Sequence, residues 1–151
     1  FKIAMQGLDG GRINIASCSL GAARFCIEKS INYVNERKQF GKYLKDFQSI
    51  QFKLADMITD YEAAKLMVHK AANAIDKKEQ NSTVMSAMAK KHATDVCFQI
   101  CNEALQIHGG YGYLADFGIE KMVRDCRVHQ ILEGTNEIMR VIISRKLLER
   151  D

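Results

Sequence analysis

Proline and tryptophan are both missing from this 151-residue chain. Without proline, no backbone amide is lost from inside a hydrogen-bond ladder, so long uninterrupted helices are expected. An apolar run of about 18 residues, the length a membrane-crossing helix needs, is also missing. No signal or transit pattern is visible, and the chain opens at Phe1 in mid-pattern, so it is read as a fragment of something longer. Cysteine is present without a framework: Cys18, Cys26, Cys97, Cys101 and Cys126 are odd in number and loosely spaced. That pattern predicts reduced thiols in a reducing compartment. Cys97 and Cys101 lie one helical turn apart, but no His/Cys pair supplies further ligands, so they are expected as small buried apolar residues, with no metal site. Charge of one sign is also scarce: 22 basic against 18 acidic residues leave +4. The basic residues are dispersed, which argues against a nucleic-acid face, while the small excess favours a phosphorylated ligand.

What is present is helical periodicity. Hydrophobic residues make up 47% of the chain, enough for a real core. Apolar positions recur at helical spacing from residue 12 to about 35 (Ile15, Leu20, Ala23, Ile27, Ile31, Val34). They recur from about 47 to 75 (Ile50, Leu54, Met57, Ile58, Tyr61, Met67, Val68, Ala71, Ile75), and from Ser82 or Thr83 to His108. A shorter helix is expected over about 119–130, and Thr135 is placed to cap a last one. Residues 1–11 are expected as a lead-in, with Asp9 as a helix N-cap. No strand run and no internal repeat are found. Three long helices with short connections predict an antiparallel bundle.

The unusual residues gather at the breaks between helices, where sites usually live. Glu133 is the most pointed, because it stands between Ile131-Leu132 and Gly134. A carboxylate desolvated by apolar neighbours suits proton abstraction, though a glutamate beside a helix start also serves the helix dipole. Nucleophile elbows, Walker loops and HExxH are absent. Gly109-Gly110-Tyr111-Gly112 follows a helix instead of a strand, which rejects a dinucleotide loop.

Arg37-Lys38-Gln39-Phe40-Gly41, Gln106-Ile107-His108-Gly109-Gly110-Tyr111-Gly112-Tyr113, Arg124-Asp125 and Leu132-Glu133-Gly134-Thr135-Asn136-Glu137 stand in the order and spacing of acyl-CoA dehydrogenases. The chain resembles that family over essentially its whole length. The resemblance implies an all-α, antiparallel four-helix-type bundle: the C-terminal domain over residues 1–151, without the N-terminal helical and middle β domains. It implies FAD as cofactor. Arg37 matches the arginine that reaches the FAD pyrophosphate across a subunit interface, a role suited to guanidinium. Phe47 and Gln48 match further flavin contacts. Gln106, Ile107, His108, Gly109 and Gly110 match the segment that lets a neighbour's FAD approach the backbone. Thr135, Asn136 and Glu137 match additional FAD positions, although the family more often has glutamine where Glu137 stands.

For the substrate, Asp9, Gly10, Gly11, Arg12, Gly134 and Arg145 match acyl-CoA-binding positions, and Glu133 matches the catalytic base. Some relatives carry the base at the position of Gly11, where glycine cannot serve, and this strengthens Glu133. The implied reaction is α,β-dehydrogenation of an acyl-CoA: Glu133 takes the α-proton while hydride passes to FAD. Residues 8–21 and 128–134 look most like members acting on a short branched acyl group, and Leu132 stands where many relatives have tyrosine. The resemblance also implies an electron-transfer flavoprotein as acceptor and a homotetramer, with no nucleic acid or membrane as partner. The implied location is the mitochondrial matrix in a eukaryote, or the cytoplasm in a bacterium. Two other readings stand beside it: a non-enzymatic assembly relative, and an acyl-CoA oxidase.

Overall fold

The computed structural model describes residues 2–148. Five α-helices carry most of them: α1 (Lys2–Glu36), α2 (Gln48–Asp76), α3 (Ser82–His108), α4 (Ile119–His129) and α5 (Asn136–Leu148). The all-α bundle expected from periodicity is the fold observed.

Consecutive long helices alternate in direction, so α1 and α3 run parallel. Asp9 of α1 meets Thr83 at the start of α3, and Tyr33 of α1 stacks on His108 at its end, with ring centroids 4.3 Å apart. α4 then returns along α1. Gly118 faces Phe25, and Ser19 Oγ lies 2.9 Å from His129 Nδ1. That descent carries the chain back to the end of the bundle where α3 begins.

The interface between helices is built from small side chains. Ala16, Ala23 and Cys26 of α1 are fully buried, as are Ala87, Ala89, Ala93, Cys97, Cys101 and Ala104 of α3. Small residues let helix axes approach closely, and packing at interior density follows. Cys97 and Cys101 are therefore core residues, as expected. Burial pushes the Cys97 thiol up, and contact with Cys126 and Cys26 does the same for Cys101. Several periodic residues lie outward instead: Ile31, Ile58 and Met88 are more than two-fifths exposed.

Two local expectations are corrected. Residues 1–11 are not a lead-in, because α1 is helical from Lys2 and passes through Gly7, Gly10 and Gly11; Phe1 lies outside the described residues. Each glycine costs about 1 kcal/mol against alanine in a helix. Side-chain bonds hold this turn all the same: Asp9 Oδ1 accepts from Arg12 within α1, and Oδ2 accepts from Thr83 of α3, both at 2.6 Å. Asp9 is thus a helix-interior residue facing α3, and not an N-cap. The second correction is a hairpin where no strand was expected. β1 (Lys38–Gln39) pairs antiparallel with β2 (Lys42–Tyr43). Phe40 (φ 54°) and Gly41 (φ 81°) form its turn, both in the left-handed region that two-residue hairpin turns require. Strands of two residues are too short to show alternation in sequence.

Candidate active site

Glu133 sits in the connection between α4 and α5 with φ 55°, and Gly134 follows at φ 90°. A non-glycine residue held there stores about 1–3 kcal/mol of strain. The conformation turns the carboxylate onto α1. A Cβ built on Gly11 would lie 2.4 Å from Glu133 Oε2 and 2.7 Å from its Cδ. Only hydrogen fits at position 11 while Glu133 holds this direction. Beside this contact lies the Asp9–Arg12 pair, buried to 9% and 2% exposure. Arg12 Nε has no partner among the described residues. A buried guanidinium with a free donor is costly unless a further acceptor arrives.

The turn is held from beneath by Lys90 of α3, whose exposure is 0%. Its Nζ donates to the Gly134 carbonyl at 2.8 Å and to Asn136 Oδ1 at 2.9 Å. Burial pulls Lys90 down from the ordinary lysine value to about 8, while Asp95, Glu137 and Glu133 hold it up and Arg12 opposes them. Asn136 Nδ2 donates to Asp95 Oδ1 at 2.7 Å and to Thr94 Oγ1 at 2.9 Å. Burial raises Asp95, but hydrogen bonds from Gln130, Asn136 and Lys91 outweigh it and leave the carboxyl below its usual range. The Asn136 amide N–H closes the loop onto the Gln130 carbonyl at 3.0 Å. Thr135 caps α5 as expected: its Oγ1 accepts from the Ile138 N–H, though at a long 3.4 Å. Glu137 is exposed, and its own backbone N–H and the Thr135 hydroxyl lower its carboxyl.

The opposite end of α3 is built differently. Arg37, in the residue after α1, lies with its guanidinium 5.2 Å from the Tyr111 ring centre. Together with Tyr33, Gln39, Leu44, Ile107, His108, Gly109, Gly110 and Leu114 these residues line a groove of about 410 Å³. Gly109 ends α3 at φ 60°, and a side chain on Gly109 or Gly110 would meet open space, so their backbone is uncovered. His108 is buried, and its Nδ1 donates to the Ala104 carbonyl at 2.8 Å, which places the proton on that nitrogen. Burial lowers its proton affinity, so the ring is neutral near pH 7. A cation beside sterically open glycine backbone and stacked rings suits an extended ligand carrying phosphate and a flat ring system, and FAD has both parts.

The expected site residues thus divide into two groups. Asp9, Gly10, Gly11, Arg12, Glu133, Gly134, Thr135, Asn136 and Glu137 share one end of the bundle. Arg37, Ile107, His108, Gly109 and Gly110 share the groove at the other. Phe47 and Gln48 begin α2 close by: Phe47 packs edge-on against Phe40 at 6.3 Å, and Gln48 is exposed. Gln106 is exposed, and its carbonyl accepts from the Gly109 amide. Lys90 and His108 are 18 residues apart on α3, which separates the groups by about 27 Å along the axis. The Asn136 side chain points into the bundle. Arg145 is exposed nine residues along α5, about 14 Å from its start.

Sequence reasoning did not single out Lys90, Thr83 or Asp95. A signal for Lys90 did exist: it occupies the buried register of α3, spaced with Ser86, Ala87, Ala93 and Thr94, where a charge has no surface role.

Three comparisons bear on this geometry. The family model described as acyl-CoA dehydrogenase, C-terminal domain, matches residues 1–148. The chain is 56% identical to a mitochondrial isobutyryl-CoA dehydrogenase of Bos taurus over 149 residues, which is 99% of this chain and 36% of that protein. It is 49% identical to a caffeyl-CoA reductase–Etf complex subunit of Acetobacterium woodii, over 99% of this chain and 39% of that one. The solved structure of butyryl-CoA dehydrogenase from Megasphaera elsdenii superposes with a TM-score of 0.95 at 45% identity, covering 99% of this chain and 39% of the other. The chain therefore spans well under half the length of the relatives it matches.

Proposed function

The chain belongs to the acyl-CoA dehydrogenase family, whose cofactor is FAD, and matches its C-terminal domain; from that premise we propose that it carries the base of an α,β-dehydrogenation, and that the base is Glu133. The observation that carries the reading is the contact of the Glu133 carboxylate with Gly11, held by a strained backbone beside a buried guanidinium with an unused donor. Strain at a non-glycine residue persists only where surrounding structure over-determines it, and such residues cluster at active sites.

In this reading Glu133 accepts the α-proton of a bound acyl-CoA. Arg12, oriented by Asp9, offers its free Nε–H to the substrate. The turn keeps the carboxylate fixed, so little reorientation is needed when the proton moves. FAD, when bound, supplies the acceptor for the hydride leaving the β-carbon. At the far end Arg37 pairs with a phosphate of FAD, and Gly109 and Gly110 admit it against the backbone. The axial separation of about 27 Å supports assigning the groove to the flavin of a neighbouring subunit, with Thr135 and Glu137 near the flavin of the same subunit.

The finer substrate we assign is isobutyryl-CoA, giving methacrylyl-CoA in valine breakdown. The identity to the bovine protein supports this, as does Leu132 beside Glu133, a smaller side chain than the tyrosine of many relatives and compatible with a branched acyl group. One side chain discriminates by only about 1–3 kcal/mol, so a turnover panel of isobutyryl-, butyryl- and isovaleryl-CoA on the full-length enzyme decides it; no preference for isobutyryl-CoA would refute the assignment. The same reading includes a homotetramer, an electron-transfer flavoprotein as acceptor and, as location, the mitochondrial matrix in a eukaryote or the cytoplasm in a bacterium. Glu133→Gln in the full-length, FAD-loaded enzyme tests the base directly. Flavin bleaching by isobutyryl-CoA should be nearly abolished with flavin content retained, and bleaching at the unmodified rate would remove Glu133 from the chemistry.

A further inference from the structure

We propose that Lys90 is a positioning residue for the base: its ammonium grips the Gly134 carbonyl and thereby sets the direction of the Glu133 carboxylate. The proposal rests on the assignment of Glu133 as base, and it adds a residue on another helix through which that base is aimed.

Three features of the molecule lead to it. First, the turn holding Glu133 has two successive residues at positive φ, and the first is not glycine. A free connection of this length would relax, so something must hold it. Second, both Lys90 bonds end on this connection, at the Gly134 carbonyl and the Asn136 side chain. The Gly134 carbonyl belongs to the second of the three planar peptides between Glu133 and Asn136, so pinning its oxygen restrains the short backbone from which the Glu133 side chain springs. Third, Lys90 is fully buried among small neighbours on α3: Ser86, Ala87, Ala89, Ala93, Thr94 and Cys97 are buried within two turns of it. A buried lysine is unfavourable for stability compared with an apolar residue of the same length. For holding two helices together, an apolar side chain would serve better. A cation is needed only where an oxygen must be gripped or a negative charge faced.

Other charges surround the turn. Arg12 of α1 is paired with Asp9, and Asp95 of α3 is paired with Lys91. His129 of α4 lies within electrostatic reach of Lys90, as do Glu137 of α5 and Glu133 itself. Among these groups, Lys90 is the cation whose ammonium bonds the turn itself.

The test uses the full-length, FAD-loaded enzyme and stopped-flow reduction of the flavin by isobutyryl-CoA and by butyryl-CoA. Lys90→Met keeps length and removes the ammonium. We expect the limiting rate to fall about 10²-fold, the size associated with a misplacement of about 1 Å. The substrate concentration for half-maximal rate should change little. Thr94→Val, equally buried one turn away and touching Asn136 but not the Gly134 carbonyl, should lower the melting temperature with the rate intact. If Lys90→Met does not fold with flavin, Lys90→Gln is measured in the same way, since it retains a neutral donor without the charge. Glu133→Gln is run in parallel. If that variant is inactive while the Lys90 variant reduces the flavin at the unmodified rate, the positioning role is overturned and the base reading stands. An equal loss of rate in Thr94→Val would also overturn it, because the network would then act through stability alone. Unmodified activity in Glu133→Gln would overturn the base and this inference together.

Discussion

The two ends of α3 use opposite materials for two kinds of work. Around Lys90, charged and polar side chains are buried and bonded to one another, with Arg12 Nε left over among them. Around His108, rings stack over uncovered glycine backbone in an open groove. The first arrangement fixes one carboxylate against one helix. The second leaves a surface for a ligand to lie along. Electrostatic groups are strong when water is excluded and geometry is set beforehand, which is why we propose proton transfer at the buried end and flavin contact at the open end.

Substitutions at the two ends should therefore fail differently in the full-length enzyme. The largest effect is expected for Glu133→Gln, with flavin reduction slowed by about 10²–10⁴-fold while flavin content and melting temperature stay nearly unchanged. Loss of flavin from this variant would mean that the buried end also serves retention, and the contrast would blur. Next comes Gly11→Ala. Its Cβ would fall on the Glu133 carboxylate, so that carboxylate must swing away, with a rate loss of about 10²-fold expected for a displacement near 1 Å if Glu133 is the proposed base. Unimpaired reduction would show that Glu133 works from another rotamer. Arg37→Ala should do the reverse, leaving the rate of the flavin-loaded fraction intact. Losing a charge-assisted bond worth about 1.5–3 kcal/mol should weaken FAD retention, read as flavin remaining after dialysis.

The smallest effect is a pH dependence confined to the buried end. Lys90 is shifted down to about 8 in the folded chain from an ordinary 10.5. Below about pH 8 both folded and unfolded chains hold this proton, and its burial penalty is fully present. Between about 8 and 10.5 the unfolded chain holds it and the folded chain does not, so stability rises with pH through that window. Denaturant titrations of the unmodified protein and Lys90→Met at pH 7.5 and 10 should converge at the higher pH. An unchanged gap would place the lysine in water.

Much of this was legible in the sequence, for particular reasons. The helices α2, α3 and α4 announce themselves by apolar spacing, and glycine after His108 marks the end of α3. Glu133 stands out because a carboxylate between apolar residues and a glycine is unusual. The extent of α1 was not legible: three glycines near its start argue locally against helix, and the bond that Asp9 accepts from Thr83 joins this stretch to a helix 74 residues away. Lys90 was hidden for a related reason. A lysine reads as surface until its partners are known, and those partners lie 44 and 46 residues further along the chain.

Composition and periodicity by themselves determined that this chain is a helical bundle with its unusual residues at the breaks, because helix formation and burial of one face are read from neighbours three and four positions away. Which breaks meet was decided only by the tertiary structure. The parallel course of α1 and α3 and the return of α4 bring residue 133 to residue 11 and residue 37 to residue 109. Such pairings depend on the direction and packing of whole helices, a property of the assembled core that no local stretch encodes.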